Sequence, residues 1–379
     1  MFNMRAKALG FAVSVVGALV VVNGCRAGGY TPPTSVQQQS LQVSKELHRI
    51  LSPDVSVLKQ LDKQVVIGST VDPWNGAQNP YGLTIAPITA GKMKAGDLVV
   101  CNFNANSNVQ GTGESIVALH PVPGSKPTHI SFLEPLHGCD ALALDVDDTI
   151  WASTMTANDN PVIDPTGKHL IANLSGKPFN QPWGQVLARR KSASAFYETN
   201  AGTGSVVRIN GSTFAFEVLA TGFPVNHGVP GTALAPSGLA YDAKIDTLYF
   251  ADGMNNTIVA FKDVSKYPKG AIKAIDHGMK FSGPWASHAR IVFAGTPLNG
   301  PISTALLPNG SLVVGNTLDP TGKNLLIELS AGGKVLDVRN VDKGTAGALF
   351  GLVVTGTTIS NTKVYFNDDN ANEVEVLEH

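Results

Sequence analysis

The chain has 379 residues, 28 of them basic and 29 acidic, and 43% hydrophobic, enough to bury a large core. A formal net charge of −1 gives no global attraction to nucleic acid or to anionic membrane surfaces. Charged residues are only 15%, whereas 39 Gly and 23 Pro favour short strands joined by turns.

At the N-terminus, Arg5 and Lys7 precede an apolar run over 8–22, and Asn23-Gly24-Cys25 follow. The run is short for a bilayer span and has the layout of an export signal. Gly24 before Cys25, with Val22 three residues upstream of the cysteine, resembles a bacterial lipoprotein signal, although Asn23 departs from the usual small or hydroxylated residue. That resemblance implies lipidation at Cys25. It would make an exported protein of the periplasm or outer face of the envelope, held by a lipid anchor rather than a span. The alternative is an ordinary cleaved signal. Residues 1–24 are thus read as signal peptide and 25–63 as spacer. Val36, Leu47, Ile50, Leu51, Leu58 and Leu61 mark one or two short helices that Pro53 interrupts.

From residue 64 onwards a unit of strand, turn, strand, turn, strand recurs six times. The clearest copy is PSGLAYD (236–242), DTLYFADG (246–253) and NTIVAFKD (256–263). First strands recur as PYGLTIAP (80–87), CDALALD (139–145), PWGQVLA (182–188), PISTALLP (301–308) and LFGLVVT (349–355). Third strands are read at 114–121, 168–174, 204–210, 323–329 and 372–378, and outer strands at 128–133, 213–219, 289–295 and 334–340. Six copies of this kind predict an all-β fold, a six-bladed β-propeller with four-stranded antiparallel blades over 64–379. QVVIGS (64–69) precedes the first copy while the chain ends on a third strand, so QVVIGS is expected to supply the outermost strand of the last blade and close the ring. Gly82, Ala141, Gly184 and Gly238 sit where innermost strands converge and a side chain would strike the next blade. A sandwich or a right-handed β-helix is the alternative; hairpin-like turns and variable spacing argue against the helix.

PYGLTIAP with GDLVVCNF, and PSGLAYD with DTLYFADGMNNTIVAF, resemble NHL and YVTN repeats and the wider calcium-dependent-phosphotriesterase-like, SMP-30-like group of six-bladed propellers. Ser303 stands where the fifth copy would carry its glycine. The resemblance implies a propeller. It leaves lyases, lactonases, ligand binders and protein-binding modules open.

In such a ring the first strands start, and the second strands end, at one mouth of the axial channel. The starts carry Tyr81, Asp140, Trp183, Ser237, Ile302 and Phe350, and the returns carry Asn102, Asn104, Glu198, Asn200, Asp252, Asn255, Asn316, Asp368 and Asp369. Tyr81, Trp183, Phe350, Asn104, Glu198, Asp252, Asn316 and Asp368 are the candidate residues for a small molecule or a hard cation such as calcium at this mouth. The competing reading makes each polar residue a strand terminator bonded to turn backbone. His137, His227 and His288, one each from the connections toward blades two, four and five, are candidate ligands for zinc or copper. Cys101 and Cys139 should lie near the same mouth and are a candidate disulfide in an exported protein. No phosphate loop, dinucleotide fingerprint, metalloprotease helix motif, CxxCH or GxSxG is present. The sequence therefore suggests an envelope propeller binding a small molecule, a glycan or an envelope protein, with no nucleic-acid partner. The alternative is a metal-assisted lyase or lactone/ester hydrolase at the channel mouth, with Asp252 and Glu198 as base or ligand.

Overall fold

In a computed structural model, residues 55–379 are described except 191, 192, 318 and 320. The export segment, Cys25 and most of the spacer lie outside the described residues. Among the described residues, twenty-six strands form six sheets around one axis. Blade one comprises β2 (Gln78–Ile85), β3 (Leu98–Asn104), β4 (Ser115–Leu119) and β5 (Thr128–Phe132); blade two comprises β6 (Cys139–Leu144), β7 (Ile150–Thr154), β8 (Asp159–Ile163) and β9 (Leu170–Ser175). Blade three runs β10 (Pro182–Arg190), β11 (Ala193–Asn200), β12 (Ser205–Asn210) and β13 (Phe216–Thr221). Blade four runs β14 (Pro236–Asp242), β15 (Thr247–Asp252), β16 (Thr257–Lys262) and, after an inserted hairpin of β17 (Ile272–Ile275) and β18 (Lys280–Ser282), β19 (Ala289–Ala294). Blade five holds β20 (Pro301–Leu306), β21 (Leu312–Asn316), β22 (Asn324–Leu329) and β23 (Val335–Asp342). Blade six holds β24 (Leu349–Thr355), β25 (Lys363–Asp368) and β26 (Glu373–Glu378), completed by β1 (Lys63–Ser69).

The ring closes as the sequence predicts, with β1 antiparallel to β26 on the outside of blade six. This covers an edge that would otherwise present unpaired backbone groups. Upstream of β1, Val57, Leu58 and Leu61 are fully buried in the seam between blades five and six. The buried carboxylate of Glu328 accepts from Ser56 Oγ at 2.7 Å, Val57 N at 3.1 Å and Leu58 N at 2.8 Å.

The core consists of interblade seams. Blades one and two bury Val99, Ile116, Leu136 and Leu142 between them. Blades three and four bury Tyr197, Leu219, Phe250 and Phe261, and corresponding apolar clusters fill the other four seams. Each blade face is apolar because it is covered by the neighbouring sheet, so no blade can bury its surface alone. Cys101 of β3 and Cys139 of β6 form a disulfide across the first seam, with Cα atoms 5.6 Å apart.

Two strand assignments differ from the sequence reading. The third strand of blade two is β8, and 168–174 falls mostly in its outer strand, β9. Pro161 disguises β8: it cannot donate to a ladder, and pairing with β7 skips from Trp151–Val162 to Thr154–Asp159. The β17–β18 hairpin, unforeseen, leaves blade four and joins the outer strand of blade three through a parallel β13–β17 pairing.

Every innermost strand breaks register with its neighbour at the same level: Pro80/Leu83, Cys139/Ala141, Pro182/Gln185, Pro236/Leu239, Pro301/Ser303 and Leu349/Leu352. Bulges of this kind bend a strand and re-aim its side chains. Innermost strands are sheet edges, so prolines at their starts cost no ladder bond. The six bulges together build the channel.

Candidate functional site in the axial channel

Reading along the six bulged strands gives three levels with one residue from each blade. The first level is Tyr81, Asp140, Trp183, Ser237, Ile302 and Phe350, all buried. Tyr81 is sandwiched between Phe103 and Phe350, with ring centroids 4.0 and 3.5 Å away. Trp183, Ile302 and Phe350 belong to the same apolar cluster. Tyr81 also donates from its hydroxyl to Gln110 Oε1 at 3.2 Å. Above it, the loop around Gly111 meets Pro230, and Gln181 Nε2 donates to Gly228 O at 3.0 Å. The candidate aromatic residues therefore pack on one another and close this end of the channel.

The second level explains its small residues. A Cβ on Gly184 would lie 2.4 Å from Ser237 O, one on Gly238 2.6 Å from Ile302 O, and one on Gly82 3.0 Å from Ala141 Cα. None of these three has positive φ, so close approach of the next blade is the reason for glycine. Blade five uses Ser303 at this level. The third level is Leu83, Leu142, Gln185, Leu239, Thr304 and Leu352.

These levels enclose a cavity of about 70 Å³ on the axis. Among its walls, Asp140, Ser303, Thr304 and Gln185 are 3%, 4%, 5% and 9% exposed. Both Asp140 oxygens, both polar atoms of the Gln185 amide and the two hydroxyls have no well-formed hydrogen bond to a protein group. Burial pushes the Asp140 carboxyl well above its ordinary 3.8, and the nearby Glu198 carboxyl adds to this; the amides of Asp140 and Ala141 offset it in part. Glu198 is fully buried beneath the cavity wall. Its Oε2 accepts from Ser153 Oγ at 3.1 Å and from Asn160 Nδ2, while Oε1 is unpaired. Burial raises Glu198 from 4.5 to about 8 despite those bonds. A concave site with two carboxyls shifted in this way can supply a proton donor at neutral pH.

The remaining rim candidates serve backbone. Asn104 Oδ1 accepts from Gly111 N at 3.1 Å, Asn316 Oδ1 from Asn299 N at 3.1 Å, and Asp252 Oδ1 from Met254 N at 3.2 Å. Asp368 Oδ1 accepts from Ala371 N at 3.3 Å, and Asn200 Oδ1 from Asn180 N at 3.1 Å. Each ends its strand by tying down the following or facing turn. Burial nevertheless raises Asp252 to about 6 and Asp369, with Asp368 beside it, to about 7.

The histidines are not gathered. His137 pairs through Nδ1 with Glu114 at 3.0 Å beside the short helix Glu134–Leu136. His227 is exposed on the loop above the closed end. His288 does not lead to an innermost strand: it precedes the outer strand β19, against Trp285 with centroids 4.7 Å apart and 3.4 Å from Asp263. The outer strand read at 289–295 already separates His288 from blade five, whose innermost strand starts at Pro301. Among the described residues no three His, Cys, Asp or Glu side chains are arranged to hold a metal ion. The rim carboxylates and amides named above are engaged with turn backbone.

Sequence reading placed Asp140 at a strand start but overlooked Gln185, Ser303 and Thr304. Their signal was present: each is a polar residue inside an otherwise apolar innermost strand, in WGQVLA and ISTALL.

No family model matches the chain, and no curated protein matches it. Among solved structures it is similar to a gluconolactonase from Xanthomonas campestris, at 14% identity with a TM-score of 0.57 over 83% of this chain and 89% of that one. Virginiamycin B lyase from Staphylococcus aureus aligns at 16% identity with a TM-score of 0.51, over 83% and 85%. A PQQ-bound aldose sugar dehydrogenase from Streptomyces coelicolor aligns at 17% with a TM-score of 0.53, over 83% and 98%. At these identities the likeness is one of fold, and the chemistry of the neighbours differs among themselves.

Proposed function

We propose that this propeller is a lyase or a lactone/ester hydrolase acting on a small molecule in the axial channel, with Asp140 as its proton-transfer group. The carrying observation is the buried pair of Asp140 and Glu198, with neither Asp140 oxygen in a well-formed hydrogen bond to protein at the wall of the cavity. For an ester or lactone, water adds to the acyl carbon and the acyl–oxygen bond breaks. The Asp140 proton passes to the leaving oxygen, and the proton released by water restores the Asp140 acid. Glu198 helps to keep Asp140 protonated, since a charge on either carboxyl disfavours one on the other. Fold neighbours that include a lyase and a gluconolactonase support the reaction class.

The export layout of 1–25 and the Cys101–Cys139 disulfide support an exported, lipid-anchored location. Among the described residues no helix is long and apolar enough to cross a membrane.

A panel of lactones and aryl esters incubated with purified protein tests the reading. Turnover is expected to fall at least about 100-fold in Asp140→Asn, the scale of a lost general acid. Equal turnover in that variant would remove Asp140 from the chemistry. A binding protein without turnover is the second reading. It is favoured by the closed aromatic end and by rim side chains already committed to backbone.

A further inference from the structure

The far end of the channel is built differently from the closed one. Beyond the third level, the six innermost strands flare into a second cavity of about 400 Å³. Leu83, Leu142, Gln185, Leu239, Thr304 and Leu352 line both cavities, so this six-residue ring is the passage between them. Outside the ring the walls are mostly aliphatic, with Thr84 and Tyr241 among them and Ile85, Val186, Leu306 and Val354 part-exposed. No Lys, Arg or His is among the described residues lining either cavity.

We infer that the axial site is reached from this far mouth, and that its ligand is an uncharged amphiphile: an aliphatic body in the outer cavity and a small oxygen-bearing head at Asp140, Gln185, Ser303 and Thr304. The inference rests on the axial site proposed above and names its route and substrate class. Three observations carry it. The near end is filled by the buried, mutually packed side chains of Tyr81, Trp183, Ile302 and Phe350, with Tyr81 stacked between Phe103 and Phe350 at 4.0 and 3.5 Å, under loops that approach each other. The inner cavity, at about 70 Å³, takes only a few heavy atoms, a water's share of liquid volume being about 30 Å³. Its four polar side chains are buried with hydrogen-bonding atoms unpaired, which costs free energy until something pairs with them. An anionic head would have to shed its hydration in a cavity lined by no cation. A cationic head would have to shed its hydration to pass a ring dominated by leucine. A lactone, ester or alcohol bearing an alkyl chain meets neither obstacle.

The test uses the full chain and the neutral fluorescent probe N-phenyl-1-naphthylamine, displaced by competitors. δ-Dodecalactone is expected to displace the probe at concentrations at least about tenfold below those needed of δ-valerolactone or of sodium dodecanoate. Val354→Lys and Leu306→Lys, two separate charges on the part-exposed wall, are each expected to weaken probe binding at least about tenfold. Val229→Trp, on the loop over the closed end where Val229 is 66% exposed, is expected to leave it unchanged. Circular dichroism shows which lysine variant retains the fold, and one suffices. Unchanged binding in a folded lysine variant, or loss of binding in Val229→Trp, overturns the far-mouth route. Displacement by dodecanoate as strong as by the lactone overturns the uncharged head. Because the readout is binding, failure of catalysis at Asp140 appears separately, as a probe that binds in a protein without turnover.

Discussion

Replacing Glu198 by Gln should abolish much of the fall in stability that the protein suffers between acid and alkaline pH. Glu198 is fully buried, and its carboxyl is raised from 4.5 to about 8, with burial as the main cause. A raised carboxyl binds its proton more tightly in the folded state than in the unfolded chain. Its favourable effect is therefore complete below pH 4.5 and is lost progressively as pH climbs toward 8. Each pH unit between those values removes roughly 1.4 kcal/mol, or about 5 kcal/mol across the window. The amide of the Glu198→Gln variant would keep an oxygen for Ser153 Oγ to donate to and would carry no charge, so this component should vanish. Other buried carboxyls, Asp252 and Asp369 among them, titrate in the same direction, so the wild type minus variant difference is the quantity to measure. Urea denaturation at pH 5, 7 and 9, followed by far-ultraviolet circular dichroism, reads it. Over pH 5 to 9 wild type should lose more stability than Glu198→Gln, by about 4 kcal/mol. Parallel pH profiles for the two proteins would refute the assignment of an ionisable, desolvated Glu198.

The Cys101–Cys139 bridge spans 38 residues, and in the chain-entropy account a loop of that size stabilises by about 4 kcal/mol. Reduction, or a double Cys→Ala change, should lower the melting temperature measured by differential scanning fluorimetry, and an unchanged melt would deny the bridge that role. Gly184→Ala places a Cβ 2.4 Å from the Ser237 carbonyl oxygen and should cost about 1–3 kcal/mol, read by urea unfolding. Gly332→Ala, where a new Cβ would meet only Ser330 Oγ at 3.7 Å, should be near neutral. Equal effects at the two positions would contradict the close-approach argument.

The blade architecture was legible because each copy repeats an apolar strand with small residues at one fixed place. The closing role of 64–69 followed from counting strands. Blade two misled because Pro161 lies within a true strand, and blade four because its inserted hairpin has ordinary turn composition and pairs with another blade. At the site, the sequence put Tyr81, Trp183 and Phe350 at one mouth but could not reveal that Tyr81 stacks on Phe350 and that all three are buried in one cluster. Whether an aromatic lines an opening or fills it depends on the channel's width, which no linear pattern encodes. Gln185 is distinguished from Asn316 only by place: Asn316 ends a returning strand and is spent on Asn299 and Pro297 backbone, whereas Gln185 interrupts an apolar innermost strand on the axis.

The meeting of β1 with β26 also sets an order of assembly. Lys63 Nζ donates to His379 O across 316 positions of chain, so the last joint of the ring joins segments from opposite ends of the sequence. On a ribosome, β1 emerges first and must wait, with a bare edge, until the sixth blade has been synthesised. Bringing such distant segments together is entropically slow, although the added cost grows only with the logarithm of separation. The nascent protein thus passes through an open horseshoe of blades. In that interval the apolar flank of blade five, later covered by Val57, Leu58 and Leu61, is exposed to mispairing.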